Sequence, residues 1–214
     1  MRSLVRMTRT AGASMLFALA IALPAAAQHE AQFSAWCYAT GPKRASSAQM
    51  IEGCTAIIAA NRESPDKMFQ AYHNRGSGYA ITGDHWRAIG DYGEALKLKP
   101  DHMVLVSRCL EYAIVGELQA ALADCNESLR ILPAVPFVLG TRGLVRLKQG
   151  RFDEAIADYD MGLKIHAKDA ILLYGRGVAK RRKGDLAGGD ADIAAAKAMR
   201  ADVAELVAKW GVSP

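Results

Sequence analysis

Four cysteines are the residues of this chain whose type and spacing could do chemistry: Cys37, Cys54, Cys109 and Cys125. A thiolate can ligate a metal, attack a substrate or pair in a disulfide. Zinc would need four clustered ligands, and the sequence has no C-x-x-C and no nearby histidine pair. A nucleophilic cysteine would need a base, and no histidine falls near either pair in the repeat described below. Disulfides are therefore favoured, with free core thiols or a redox or metal role as the alternatives.

Other signatures of catalysis do not occur in the sequence. The five histidines are scattered and form neither H-E-x-x-H nor an i, i+4 pair. The glycine-rich stretch at residues 76–83 lacks the G-x-G-x-x-G spacing of a phosphate loop, and there is no G-x-S-x-G elbow. We therefore predict no catalytic residues, no bound metal and no cofactor.

Residues 1–27 have the pattern of a secretory leader. Three arginines without an acidic residue precede an apolar run at 11–23, and small residues at 25–27 form a cleavage pattern before Gln28. The run has 13 residues, fewer than the roughly 20 that span a bilayer, so an uncleaved anchor is the less favoured alternative. We expect a periplasmic or secreted protein without a membrane span after cleavage.

The charge of the chain gives no indication of nucleic-acid binding. The sequence has 27 basic and 22 acidic residues, and cleavage would remove three arginines. The remaining 187 residues are then close to neutral, without the concentrated basic face that nucleic acid needs. They are numerous and apolar enough to bury a core.

Three residue types recur in one register, at steps of 33, 34 and 34 residues. The markers are the arginines Arg75, Arg108, Arg142 and Arg176, the glycines Gly83, Gly116, Gly150 and Gly184, and the aspartates Asp91, Asp124, Asp158 and Asp192. Apolar residues at three- and four-residue steps on both sides of each glycine predict two helices per unit. The register therefore predicts an all-α solenoid of stacked antiparallel helix pairs.

The units resemble the tetratricopeptide repeat family. The first unit carries the whole pattern of that family, in Tyr72, Gly76, Tyr79, Ala88, Tyr92, Ala95 and Pro100. The later units keep parts of it: the third has Leu139 for the first aromatic residue, and the fourth has Gly189 for alanine and Ile193 for the second aromatic. The resemblance covers about residues 68–203 and implies a superhelix of an exported bacterial type that binds other proteins.

The register also divides the chain. We expect a leader at 1–27, a degenerate helical unit at 28–67, repeats at 68–101, 102–134, 135–169 and 170–203, and a capping helix and tail at 202–214. The first helix of the degenerate unit, around Trp36, is expected to be shortened. Leu206 and Trp210 are expected to cover the open end of the stack, because a solenoid needs a cap to stay soluble.

Each of the four marker arginines is followed 16 residues later by one of the four marker aspartates, on the second helix of the same unit. We call these residues the ladder arginines and the ladder aspartates. This spacing predicts bidentate Arg–carboxylate pairs that fix helix register, within a unit or across to its neighbour. The alternative is a row of arginines that lines a groove for an acidic ligand.

The register places the cysteines opposite one another. The residue after each ladder arginine is Gly76, Cys109, Gly143 or Gly177, and the residue after each ladder aspartate is Tyr92, Cys125, Tyr159 or Ile193. Glycine thus faces a large side chain, and cysteine faces cysteine. Of the three possible pairings, this register favours Cys37–Cys54 and Cys109–Cys125.

The family resemblance implies that ligands bind along the first helices, which line the concave face. The candidate groove residues are His73, Asn74, Ser77, Val106, Leu110, Leu144, Lys148, Tyr174, Val178, Arg181 and Arg182. The basic run at 180–183 is interpreted first as cations suited to the last turn of a helix. Its alternative is an anchor for a carboxylate or an acidic peptide.

We therefore expect a non-catalytic exported scaffold that holds a peptide or a helix of a protein partner in its groove, in assembly or maintenance of the cell envelope. The alternative is an accessory subunit of a secreted or periplasmic enzyme complex, docked through the convex face.

Overall fold

A computed structural model describes residues 25–39 and 45–213 of the chain. These residues form α-helices and no strands, which confirms the predicted fold class. The helices are α1 (Ala25–Tyr38), α2 (Ser47–Ala60), α3 (Pro65–Thr82), α4 (His85–Leu98), α5 (His102–Val115), α6 (Leu118–Ile131), α7 (Pro136–Lys148), α8 (Phe152–Ile165), α9 (Ala170–Lys183), α10 (Leu186–Met199) and α11 (Val203–Ala208). No described helix has the length and apolar character to cross a bilayer.

Successive helices pair into hairpins that stack side by side. Within a hairpin the two helices are in contact, and the second helix of each unit packs on the first helix of the next. The first helices also contact one another, α1 with α3, α5 with α7 and α7 with α9. The first helices therefore lie side by side in an inner layer, with direct contacts from α1 to α3 and from α5 through α7 to α9.

The repeated glycines end the first helix of each unit. Gly83, Gly116 and Gly184 are the C-caps of α3, α5 and α9, with φ of 83°, 93° and 105°. Gly150 follows α7 with φ of 76°. Only glycine adopts this left-handed conformation without a Cβ penalty, so it permits the tight turn between the two helices of each hairpin.

The N-terminal unit differs from the sequence-based expectation. Its first helix α1 has 14 residues, as many as α2, and is not shortened. It begins at Ala25, inside the predicted leader, whose other residues lie outside the described part of the chain. Close packing explains the regular hairpin, because a Cβ on Gly53 would lie 2.6 Å from the carbonyl oxygen of Phe33.

The C-terminal segment also differs from expectation. A helix predicted at 202–212 is only the six-residue α11, and Gly211 adopts a φ of 77° after it. Val203, Val207 and Val212 are buried, whereas Leu206 and Trp210 are half-buried. The segment packs on the apolar side chains of α7 and α9, so it lies on the inner layer of the stack.

Candidate functional site

The ladder arginines are occupied by the aspartates of their own units. Arg75 donates to both carboxylate oxygens of Asp91 at 2.8 and 2.7 Å. Arg108 and Arg176 pair in the same way with the aspartates 16 residues later, at distances between 2.7 and 2.8 Å. The hydrogen bonds to the aspartates raise the pKa of Arg75, Arg108 and Arg176. All three guanidinium groups therefore stay charged and fix the helix register.

The pair of the third unit is the most buried. Asp158 is fully buried, and it accepts hydrogen bonds from Arg142 at 2.7 Å and from Arg146 at 2.7 Å. One carboxylate thus lies between two cations of α7. Arg146 was not among the residues singled out in the sequence, because no marker repeats at its position.

The ladder arginines also reach the preceding unit. In three of them the remaining guanidinium nitrogen, Nη1, donates to a side chain of that unit. Arg75 donates to Oγ1 of Thr55 at 3.4 Å, Arg142 to Oδ1 of Asn126 at 3.0 Å, and Arg176 to Oδ1 of Asp160 at 2.6 Å. These acceptors occupy one register position on α2, α6 and α8. Arg75, Arg142 and Arg176 thus join three helices each, whereas Arg108 joins two through Asp124. All four are paired within the protein, which argues against a row of free arginines lining an acidic-ligand groove.

The cysteine register is seen in the packing of the hairpins. The structure pairs Cys37 with Cys54 and Cys109 with Cys125, with Cα atoms 4.7 and 5.6 Å apart. In the neighbouring units, a Cβ on Gly76 would lie 2.9 Å from Tyr92, and a Cβ on Gly143 would lie 2.9 Å from Tyr159. The glycine–ring contacts and the Cys109–Cys125 pair therefore fill the same position in successive units.

At the N-terminal end of the groove, the candidate residues contact other helices of the stack. The Nδ2 of Asn74 donates to the carbonyl oxygen of Cys37 at 2.8 Å, because α1 packs directly on α3. His73 stacks on Phe69 with ring centroids 6.3 Å apart, and burial lowers its pKa, so it is mostly neutral at pH 7. Ser77 donates to the carbonyl oxygen of His73 at 3.0 Å.

Two groups of candidates are buried rather than open to a ligand. Val106 packs at the contact of α5 with α7, in a cluster with Val138 and Val145. Tyr174 and Val178 belong to the cluster that contains the buried valines of the C-terminal segment. The sequence-based assignment of these three residues to an open groove is therefore wrong, because the inner helices and the C-terminal segment cover them.

The basic run at the end of α9 is largely neutralised within the protein. Lys180 contacts Asp192 at 2.9 Å, Arg181 pairs with Asp190 and Lys183 pairs with Asp153. Arg182 instead donates to the carbonyl oxygen of Ser213 at 2.9 Å. This arrangement gives little support to a cluster of free cations at that end of the groove.

Leu110 and Leu144 are the candidates that the structure brings together in the wall of a pocket, with Leu110 half-buried and Leu144 buried. They line a pocket of about 300 Å³ between α5, α7 and α9, which the C-terminal segment walls on one side. The other lining residues are Val135, Pro136, Phe137, Gly140, Thr141, Tyr159, His166, Asp169, Ile171, Leu172, Gly175, Val207 and Trp210. Sequence reasoning missed Phe137 and Ile171, although both stand one turn or more before the marker arginine of their unit.

Two polar side chains of the pocket, those of Thr141 and Asp169, have partners inside the protein. Thr141 donates to the carbonyl oxygen of Phe137 at 2.9 Å. Asp169 caps α9 by accepting from the backbone nitrogen atoms of Ile171 and Leu172 at 2.9 and 3.1 Å. Because most of the other lining residues are apolar, the pocket favours an apolar group as its occupant.

A second polar contact joins two units and was not predicted. Nδ1 of His85, at the start of α4, lies 2.6 Å from Oε2 of Glu111 on α5. Burial raises the pKa of Glu111, and the hydrogen bond with His85 opposes this effect. In the described ranges 25–39 and 45–213, no three metal-binding side chains cluster, so this pair is an inter-unit contact rather than a metal site.

Comparisons with known proteins identify the repeat. No family model matches the sequence. The chain is 29% identical over 133 residues to human tetratricopeptide repeat protein 4, covering 60% of this chain and 34% of that protein. It is 26% identical over 137 residues to photosystem I assembly protein Ycf3 of Prochlorococcus marinus, covering 59% of this chain and 78% of that protein. This chain therefore spans about a third of the length of the human relative.

A solved structure has the same fold. MamA from Desulfovibrio magneticus superposes with a TM-score of 0.67 at 16% identity, over 85% of this chain and 98% of that one. Its low identity supports the fold alone. The repeat register and the stacked hairpins are those of a tetratricopeptide-type solenoid, and the human relative is itself named a tetratricopeptide repeat protein.

Proposed function

We propose that the chain is an exported, non-catalytic scaffold that binds a peptide or a helix of a protein partner on its concave face, in assembly or maintenance of the cell envelope. The observation that carries this proposal is the apolar pocket of about 300 Å³ between α5, α7 and α9. It lies on the inner layer of first helices, next to exposed Phe137.

The pocket suits one large apolar side chain of a partner. Its lining is mainly apolar, so a charged or strongly polar side chain would lose hydration there with little compensation. Burial of one leucine, phenylalanine or methionine side chain would contribute about 1.5–3 kcal/mol. A single anchor of this size gives a weak contact, and the rest of the affinity would come from the adjoining concave surface.

Two features support an exported location. The leader pattern at 1–27 is typical of secreted proteins. All four cysteines are paired in the structure, and disulfides persist mainly in oxidising compartments such as the bacterial periplasm. A role in assembly agrees with the name of the relative Ycf3, a photosystem I assembly protein, without identifying the partner.

Site-specific photo-cross-linking in the native cell envelope tests this proposal. A photoreactive phenylalanine analogue replaces Phe137 at the pocket or, as the matched control, Leu186 at the start of α10; both positions are exposed. We expect one defined partner to be captured from position 137, and Leu110→Glu to abolish its capture. Capture from position 186 alone would contradict the proposal and favour docking through the convex face.

A further inference from the structure

The C-terminal segment, residues 202–213, crosses the first helices of the third and fourth repeats. After α11, the carbonyl oxygen of Trp210 accepts a hydrogen bond from Nζ of Lys148 on α7, at 3.1 Å. The carbonyl oxygen of Ser213 accepts one from Nη2 of Arg182 on α9, at 2.9 Å. Residues 209–213 therefore bridge the first helices of two successive units.

The segment also inserts apolar side chains between these helices. Val207 and Val212 are buried in one cluster with Leu144, Leu147 and Val178. Trp210 walls the apolar pocket on the same face. Gly211 permits the turn between these residues, because its φ of 77° is left-handed and a Cβ there would lie 3.2 Å from Nζ of Lys148.

These contacts are those of a bound peptide. Lys148 donates to the carbonyl oxygens of Ala113 and Trp210, and Arg182 donates to the carbonyl oxygen of Ser213. Both cations therefore bind the segment through its main chain. The apolar contacts come from one aromatic residue and from valine two positions later. Neither kind of contact requires this particular sequence, so another extended segment could make them.

We propose that residues 209–213 are a built-in competitor that occupies the peptide site of the third and fourth repeats. A partner segment enters by displacing them. It would be extended, with a large apolar residue followed two positions later by a small aliphatic one. This inference rests on the proposed function, because it names the part of the concave face that the partner must share with the protein's own chain.

The charge of the site indicates a further property of that partner. Burial lowers the pKa of Lys148, and its Nζ donates hydrogen bonds to the main-chain oxygens of Ala113 and Trp210. A carboxylate on the incoming segment would compensate this cation, which the carbonyl oxygen of Trp210 does only in part. An acidic residue beside the apolar pair would thus favour the partner over the segment it displaces.

The segment competes efficiently because it is tethered. A short tether gives an effective concentration in the millimolar range, so an external peptide with the same contacts is at a disadvantage. Weakening the docked segment should raise the fraction of open sites and tighten the apparent affinity by the same factor.

A binding experiment with the full chain tests the competition. The probe is a fluorescein-labelled peptide with the sequence of residues 202–213, followed by fluorescence anisotropy. We expect weak binding to the unmodified chain, and at least tenfold tighter binding to Val212→Asp, in which a charge replaces a buried side chain of the docked segment. Adding Lys148→Met to Val212→Asp should remove this gain.

A milder pair of variants keeps the test decisive if Val212→Asp disturbs the fold. Arg182→Gln removes the bond to Ser213 and should tighten probe binding about two- to fivefold, whereas Lys183→Gln, whose cation pairs with Asp153, should leave it unchanged. Equal affinities of all folded variants and the unmodified chain would overturn the inference. Because the probe is the protein's own segment, this result would leave the capture experiment at position 137 unaffected.

Discussion

At the scale of single residues, one position of the hairpin is filled in two ways. The unit with Cys109 and Cys125 has a covalent bond where its neighbours place a tyrosine ring against a glycine. The two solutions bring the helices together with different side chains, and each requires both partners. The sequence allowed this contact to be predicted because the repeat register aligns the positions of all units.

Replacing the disulfide by a contact of glycine with tyrosine should preserve the hairpin. The double variant Cys109→Ser, Cys125→Ser should lose roughly 3 kcal/mol of unfolding free energy, the value expected for a loop of this length. The variant Cys109→Gly, Cys125→Tyr should recover at least half of that loss, because it recreates the contact of Gly143 with Tyr159. Urea unfolding at neutral pH measures both; equal stability of the two variants would refute the equivalence.

Loss of the buried carboxylate of Asp158 should lower the stability of the fold far more than loss of an exposed carboxylate. Asp158→Ala leaves Arg142 and Arg146 without their common partner, and we expect a loss of about 3–5 kcal/mol. The control is Glu127→Ala, which breaks the exposed pair with Arg130 and should leave the melting temperature nearly unchanged. Thermal unfolding of both variants checks this, and an unchanged melting temperature for Asp158→Ala would rule out buried pairing.

A gap in the ladder can be filled. Arg108 faces Gly93 of the preceding unit, where the other arginines find Thr55, Asn126 or Asp160. A Cβ on Gly93 would lie 3.6 Å from Nη1 of Arg108, an ordinary contact distance. Gly93→Asp should therefore stabilise the chain by about 0.5–1 kcal/mol more than Gly90→Asp.

Gly90 is a suitable control because a Cβ there would contact nothing within 4 Å. Both substitutions remove the entropic cost of a helical glycine, so their difference in urea unfolding isolates the new pair. No difference between them would show that the bond between units adds nothing.

At the scale of the helices, the sequence predicted the helices of the four units that contain the marker residues, and it predicted the segments outside those units less well. The helices of the four full units follow from apolar spacing, marker glycines and the family pattern. The length of α1 could not be predicted because its unit lacks the arginine and aspartate markers. The path of residues 209–213 could not be predicted because that segment has no counterpart in the other units. The burial of Tyr174 and Val178 followed from that path, so the groove was assigned too many residues.

The contact between α4 and α5 should make stability depend on pH. Burial raises the pKa of Glu111, so the folded chain holds this proton more tightly than the unfolded chain. The unfolding free energy should therefore fall as the pH rises from about 4.5, the unfolded value, through the raised folded value. Glu111→Gln cannot lose a proton and should lack this component.

The measurement is the difference in unfolding free energy between the unmodified chain and Glu111→Gln, by urea titration from pH 4 to pH 7. This difference should move in favour of Glu111→Gln as the pH rises. A difference that moves in favour of the unmodified chain would mean that the bond with His85 outweighs burial.

At the scale of the whole molecule, the stack presents an apolar opening on its inner layer and keeps part of that layer covered by its own C-terminal segment. The fold and the ladder were predictable from periodic markers. The occupied part of the site was not, because it depends on a segment that follows the last repeat and on contacts between residues far apart in sequence. The partner could not be predicted either, because the family pattern determines the helices and not the side chains of the concave face.

Hydrogen–deuterium exchange of the full chain, with and without the partner captured at position 137, tests the central claim most directly. We expect the partner to protect the amides of α5, α7 and α9 around the pocket and to speed exchange in residues 209–213. Protection confined to the second helices α6, α8 and α10, with unchanged exchange at 209–213, would contradict binding on the concave face.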